Sequence, residues 1–253
     1  MPIDRKKWSP RFLEEDFPSW DCSRPCDGRV RFGPKAITEF ESGDSHAYRD
    51  HEAWDPEWIH GRFIAHLECD KCGDPTVVAG TWDAIELPMN NWRAAPELVG
   101  RFSPRTFLPP PQLVQVPQDV PEEVGEELQR ALALFWSDTN ACANGIRSTV
   151  EAIMDNRRVQ KALSKQKRGT RLSLHRRIEL FSAKDSEAAS WLMAVKWIGN
   201  AGSHRGLLTR SDLFDGFDLL EHVLEHLYSN RTKIVSALTR RINKRRKPLS
   251  REA

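Results

Sequence analysis

Apolar residues recur along this chain with two different periods. Before residue 103 they alternate in short runs, and the stretches 29–32, 58–67 and 76–82 each read as strand. From residue 121 onward they recur at spacings of three and four, as on one face of a helix. Val124, Leu128, Ala131, Leu132 and Phe135 mark a first face, and Cys142, Ile146, Val150, Ile153 and Met154 a second. The pattern leaves open whether these belong to one helix or two. Leu172, Leu174, Ile178, Leu180 and Phe181 mark a short helix, and Trp191, Leu192, Val195 and Ile198 another over 187–198. A last helix starts at the cap Ser211-Asp212 and carries Leu213, Phe217, Leu220, Leu224, Leu227, Ile234, Val235 and Leu238. Several one-sided helices are the ingredients of a bundle.

Between the two halves the periodicity stops. Pro104, Pro109, Pro110, Pro111 and Pro117 favour extended, polyproline-like chain over 103–118, with Phe107, Leu108, Leu113 and Val114 packing it along a surface. Pro121, Glu122 and Glu123 have the composition of a helix first turn. Residues 1–18 read as a loose lead-in. The expected class is α+β, with a small β module at 1–102, a Pro-rich linker at 103–120 and an all-α bundle with a basic tail at 121–253.

Composition narrows the setting. The 253 residues are 39% hydrophobic and 29% charged. No apolar run approaches the roughly 20 residues that span a bilayer. The first residues hold no hydrophobic segment of the kind a signal peptide needs, so a cytoplasmic location with reduced cysteines is expected. The net charge of +2 hides an asymmetry. Residues 1–120 hold 14 Lys/Arg against 20 Asp/Glu, whereas 156–180 and 231–253 each hold nine Lys/Arg and one Glu. Such basic segments fit a polyanion, RNA or DNA, and Arg168, Arg171, Arg245 and Arg246 are the candidate contacts. Solvated loop and tail would have the same composition, and neither segment interleaves the aromatics of a stacking platform.

Four of the five cysteines form two close pairs, Cys22/Cys26 and Cys69/Cys72. The second is a C-x2-C-G corner, in which a tight turn points both sulfurs inward. Two corners supply four thiolates to a tetrahedral Zn2+, and a site with four protein ligands is closed and therefore structural. The first pair has the less usual C-x3-C spacing, and the 42 residues between the pairs exceed a minimal ribbon. His66, three residues before Cys69, is an alternative ligand. Cys142 is expected to be a small core residue.

The stretch 190–204 ends an apolar helix in Gly199-Asn200-Ala201-Gly202-Ser203-His204. Asn200 and His204 at a helix terminus are either a cap and a packed histidine or a polar site on a rigid support.

The segments 140–151, 174–178, 196–204 and 215–221 resemble the bacterial family called domain of unknown function 4145. The Pro-rich lead-in and the cysteine module also resemble that family. It is similar to the HEPN helical bundles, many of them dimeric and many of them metal-independent endoribonucleases of toxin and phage-defence systems. The resemblance implies a HEPN-like bundle and a homodimer formed through it. The family signature is an Arg, a polar residue, three further residues and a His. Asn200 and His204 match it, but Gly199 holds the Arg position. Removing one electrostatic stabiliser costs on the order of 10²–10³ in rate, comparable with the roughly 10²–10⁴ that His acid–base chemistry contributes. Arg205 or Arg147 would have to replace it, although Arg147 with Glu151 has the spacing of an intrahelical ion pair. The expected function is a degenerate HEPN-like nucleic-acid-binding or protein-interaction module of phage defence or stress response. The alternative is an endoribonuclease using His204, Asn200 and Arg205.

Overall fold

The computed structural model describes residues 3–24, 26–87, 97–162, 171–202, 208–229 and 231–245. Its first half is one antiparallel sheet of six strands: β1 (Phe12–Leu13), β2 (Trp20–Asp21), β3 (Arg29–Glu41), β4 (His60–Cys69), β5 (Pro75–Leu87) and β6 (Glu97–Leu108). The long strands β3 to β6 form a meander, with β1 added outside β6 and β2 outside β3. In β4 every second residue is buried (Gly61, Phe63, Ala65, Leu67, Cys69), so one face is lined for a core and the other for water. A flat sheet of six strands would hold β1 and β2 about 24 Å apart, at about 4.8 Å per strand. Yet the rings of Phe12 and Trp20, from these opposite edges, have centroids 5.9 Å apart. The sheet must therefore curl. Phe17 lies between the two edges, 4.1 Å from the Phe32 ring and 5.8 Å from the Phe102 ring. A short helix, α1 (Gly43–Ala47), caps the β3–β4 connection.

The second half is helical: α2 (Glu122–Leu134), α3 (Thr139–Asn156), α4 (Leu174–Phe181), α5 (Ser186–Ala201), α6 (Arg210–Tyr228) and α7 (Arg231–Arg245). The apolar faces foreseen at 124–135 and 142–154 belong to two helices. Asp138 separates them by accepting hydrogen bonds from the Asn140 and Ala141 amides at 2.9 Å as the N-cap of α3. Thr209 and Asp212 form a reciprocal capping box on α6. Helices α2, α3, α5 and α6 pack on one another around Leu128, Ile146, Val150, Leu192, Phe217 and Leu220, all buried.

Sheet and helices share one hydrophobic core. Trp136, just past α2, lies 4.7 Å from the Phe107 ring of β6 and 5.9 Å from Trp8. Trp20 in turn lies 5.1 Å from Phe107. Arg210 spreads over the Trp136 ring at 4.9 Å and donates to the Trp136 carbonyl. The N-terminal segment straps this junction: the Ile3 amide donates to Asp218 at 2.9 Å, and Arg5 pairs with Asp215 on α6.

Four expectations change here. The α+β class stands, and four clustered cysteines fit a zinc module, but the all-α HEPN-like bundle does not stand. The sheet is six-stranded and curled, with its own aromatic interior, and the helices complete their core against it. The lead-in is not loose: Ile3 and Arg5 are held by α6, and Trp8 packs on Phe135 and Trp136. The Pro-rich stretch begins as strand, because β6 continues to Leu108 and Pro104 sits at the register shift opposite Gly80. The last helix is two, with α7 starting at Arg231 and making no extended contact with another described element. Ile234, Val235 and Leu238 continue the apolar spacing, yet they are 64%, 52% and 43% exposed, because α6 already fills the core.

Candidate metal centre and the basic face of the helices

The cysteines meet where two turns of the sheet converge. Cys22 and Cys26 flank the loop between β2 and β3, and Cys69 and Cys72 span the turn from β4 into β5. In that turn the Gly73 amide donates to the Cys69 carbonyl at 3.0 Å, and Gly73 adopts φ +71°, open to glycine at little cost. Antiparallel pairing of β3 with β4 puts Val30 opposite Cys69 and so aligns the two turns. Arg24 with Asp74 at 3.0 Å, and the Arg29 amide with Asp70 at 2.8 Å, tie one turn to the other.

All four sulfurs lie within 4.8 Å of one another, with Cys22 and Cys72 at 3.9 Å and Cys26 and Cys69 at 3.6 Å. A tetrahedral ion bonded at about 2.3 Å holds its sulfurs about 3.8 Å apart. The cluster could therefore hold a metal ion. Backbone N–H groups of Cys72 and Lys71 hold the Cys69 thiol down to about 7, whereas burial pushes Cys22 up to about 12. Four thiolates in one small volume repel one another, so full deprotonation needs a cation among them. His66 takes no part, because it lies on the exposed face of β4 while Cys69 lies on the buried one. Cys142 is buried in α3, far up the thiol range through desolvation at about 12, and serves as core.

The helical site expected at 199–205 is only partly in view. Asn200 is half-buried in the last turn of α5, while His204 and Arg205 lie outside the described residues. Gly199, however, is informative. A Cβ there would come within 2.6 Å of the Arg147 Cβ and 3.0 Å of the Ala143 carbonyl on α3. The close crossing of α3 and α5 excludes the arginine that the resemblance places at this position. Arg147 instead pairs with Glu151 at 2.8 Å along its own helix.

Of the basic candidates, Arg168 and Arg246 also lie outside the described residues, and Arg245 is exposed at the end of α7. Arg171 bridges to Ala162 and lines a cleft of ≈ 450 Å³ with Arg147, Glu151, Asp155, Lys161 and Arg177. Arg177, Asp155 and Lys161 were not among the candidates that the residue order pointed to. A signal was present: Arg177 falls three residues after Leu174 and four before Phe181, on the apolar face of α4, where a cation is out of place. Lys196, four residues after Leu192, repeats that signal on α5. Both side chains are buried.

The class defined by these features is an α+β protein with a four-cysteine cluster and a basic helical face. Residues 129–245 match the model of a family described as a domain of unknown function (DUF4145), and residues 10–103 match that of a second domain of unknown function (DUF8608). The helical half is thus similar to the one and the sheet to the other. No curated protein and no solved structure matches the chain. No described helix is long and apolar enough to cross a membrane.

Proposed function

We propose that this protein binds nucleic acid through its helical half and that a structural Zn2+ staples its sheet. The observation that carries the nucleic-acid reading is α7. Arg231–Arg245 contains six Lys/Arg and no carboxylate, and its described side chains stand in solvent. In sequence the charge continues through Arg246, Lys247 and Arg251. Lys and Arg side chains that neutralise phosphates release the polyanion's condensed counterions, and that release drives binding. Zinc is the metal of choice because four thiolates at tetrahedral spacing select it among common divalent ions, and a closed shell leaves no position for substrate. Docking of a protein partner is a second reading, favoured by the exposed apolar stripe Ile234, Leu238 and Ile242 on the same helix.

The test is fluorescence anisotropy with single- and double-stranded RNA and DNA across 50–200 mM salt. Deleting residues 231–253 is expected to weaken binding and to flatten the log–log salt slope by about 0.7–0.9 per lost phosphate contact. An unchanged slope would rule α7 out as the contact. RNA cleavage in excess chelator, lost in His204→Ala, would replace binding by catalysis.

A further inference from the structure

Positive charge is crowded on α4 and the segments just before it, and one of these arginines is buried. The cleft of ≈ 450 Å³ is lined by four cationic side chains, Arg147, Lys161, Arg171 and Arg177, against two carboxylates, Glu151 and Asp155. Glu151 is taken by Arg147 at 2.8 Å. Asp155 serves two cations at once, Arg177 at 2.6 Å and Lys161 at 2.7 Å. Burial works against the Asp155 carboxylate, and the bonds from Lys161 and Arg177 outweigh it, holding it below its usual range. Arg171 has no ion-pair partner among the described residues.

One of the four cations is buried. Arg177 is only 7% exposed at its side chain, and its Nε–H meets no acceptor. A buried N–H left without an acceptor is costly unless a ligand completes it. The N-terminus of α4 adds to the same cleft. Leu172, Ser173 and Leu174 line it, and the first-turn amides of a helix and its dipole favour an anion there.

We infer that this cleft is a phosphate-binding site, with Arg177 and the α4 N-terminus as its fixed wall and Lys161 and Arg171 as its exposed rim. A volume of ≈ 450 Å³ is in the range of a nucleotide-sized ligand. The shared chemistry is a terminal phosphate, a tetrahedral oxyanion that carries up to two negative charges, and a strand would present it at its end. Its source is either a free phosphate compound or a phosphate on a nucleic-acid strand, and in the second case the site rests on the binding function proposed above.

Arg177 is part of the buried structure, so the test removes the exposed rim instead. The full chain is titrated with inorganic phosphate, a nucleoside 5′-monophosphate, and a short oligothymidylate with and without a 5′-phosphate, by calorimetry at ionic strength matched with chloride. Lys161→Gln with Arg171→Gln is expected to weaken phosphate binding by tenfold or more, since each charge-assisted bond is worth about that factor. Its melting temperature without phosphate should stay near that of the parent. Competition by the mononucleotide identifies a free ligand; competition only by the 5′-phosphorylated strand identifies a strand end. Deleting residues 231–253 should leave the phosphate titration unchanged, which separates this cleft from α7. The inference is overturned if no phosphate compound binds above the chloride control, or if the rim double variant binds as tightly as the parent.

Discussion

At the scale of single residues, charges on this protein are placed by their neighbours more than by exposure. Glu41 accepts from Arg49 at 2.5 Å and from Ser45 at 2.8 Å, and these bonds hold its carboxyl at about 2 instead of the usual 4.5. Asp44, bonded by Ser42 and then by its own backbone and His60, is likewise held at about 2. Both folded-state values lie below the unfolded ones. Their stabilisation is therefore complete above about pH 4.5 and is lost as the pH falls towards 2. His46 lies 3.8 Å from Glu41 and His60 3.2 Å from Asp44. Acid unfolding followed by circular dichroism should thus begin at a higher pH in Arg49→Gln than in the parent. Coincident acid transitions would show that Arg49 contributes nothing there. Asp215, Asp218 and Glu221, prominent in the 215–221 segment, are also explained by neighbours: they hold Arg5, the Ile3 amide and the Gln115 amide. The sequence offered them as a motif and could not show that their partners lie about a hundred or two hundred residues away.

At the scale of elements, the two cysteine turns belong to different strand pairs and are brought together only by the β3–β4 ladder. A bound ion therefore clasps the end of β4 to the loop before β3. The expected metal content is one zinc per chain by atomic absorption, lost in Cys69→Ser. Chelator should lower the melting temperature and expose amides of β2, β3 and β4 to hydrogen exchange before those of α3 or α6. A fully folded, metal-free protein with unchanged melting would end the claim of a structural ion. The element that departs most from its pattern is α7. Its apolar spacing is as regular as that of α6, but periodicity reports only that a face exists, not that a core remains to receive it.

At the scale of the molecule, sheet and helices are joined by a knot of rings around Trp8, Trp20, Phe107, Phe135 and Trp136, each buried. Tilted and edge-on ring pairs with centroids 4.7–6.3 Å apart add to the area they bury. Because each half borrows core from the other, the two should unfold together. Tryptophan fluorescence and far-ultraviolet circular dichroism are expected to give one coincident transition. Trp136→Ala, which empties the centre of the knot, should cost about 3–5 kcal/mol and lower both signals together. Two separated transitions would show instead that sheet and helices are independent domains.

The residue order by itself determined the elements: strand alternation in 58–67, helical spacing in 142–154, and the two cysteine pairs whose spacing announced a shared centre. These are local, since period and turn chemistry depend on neighbours in sequence. Tertiary structure alone decided the rest. It decided that the sheet curls, because only then do Phe12 and Trp20 meet. It decided that position 199 must be glycine, because α3 passes within contact of it. It decided that Asp155, Lys161, Arg171 and Arg177, scattered over 23 residues, surround one cleft. Contacts between distant segments are set by how whole faces pack, and no window of neighbouring residues contains that information.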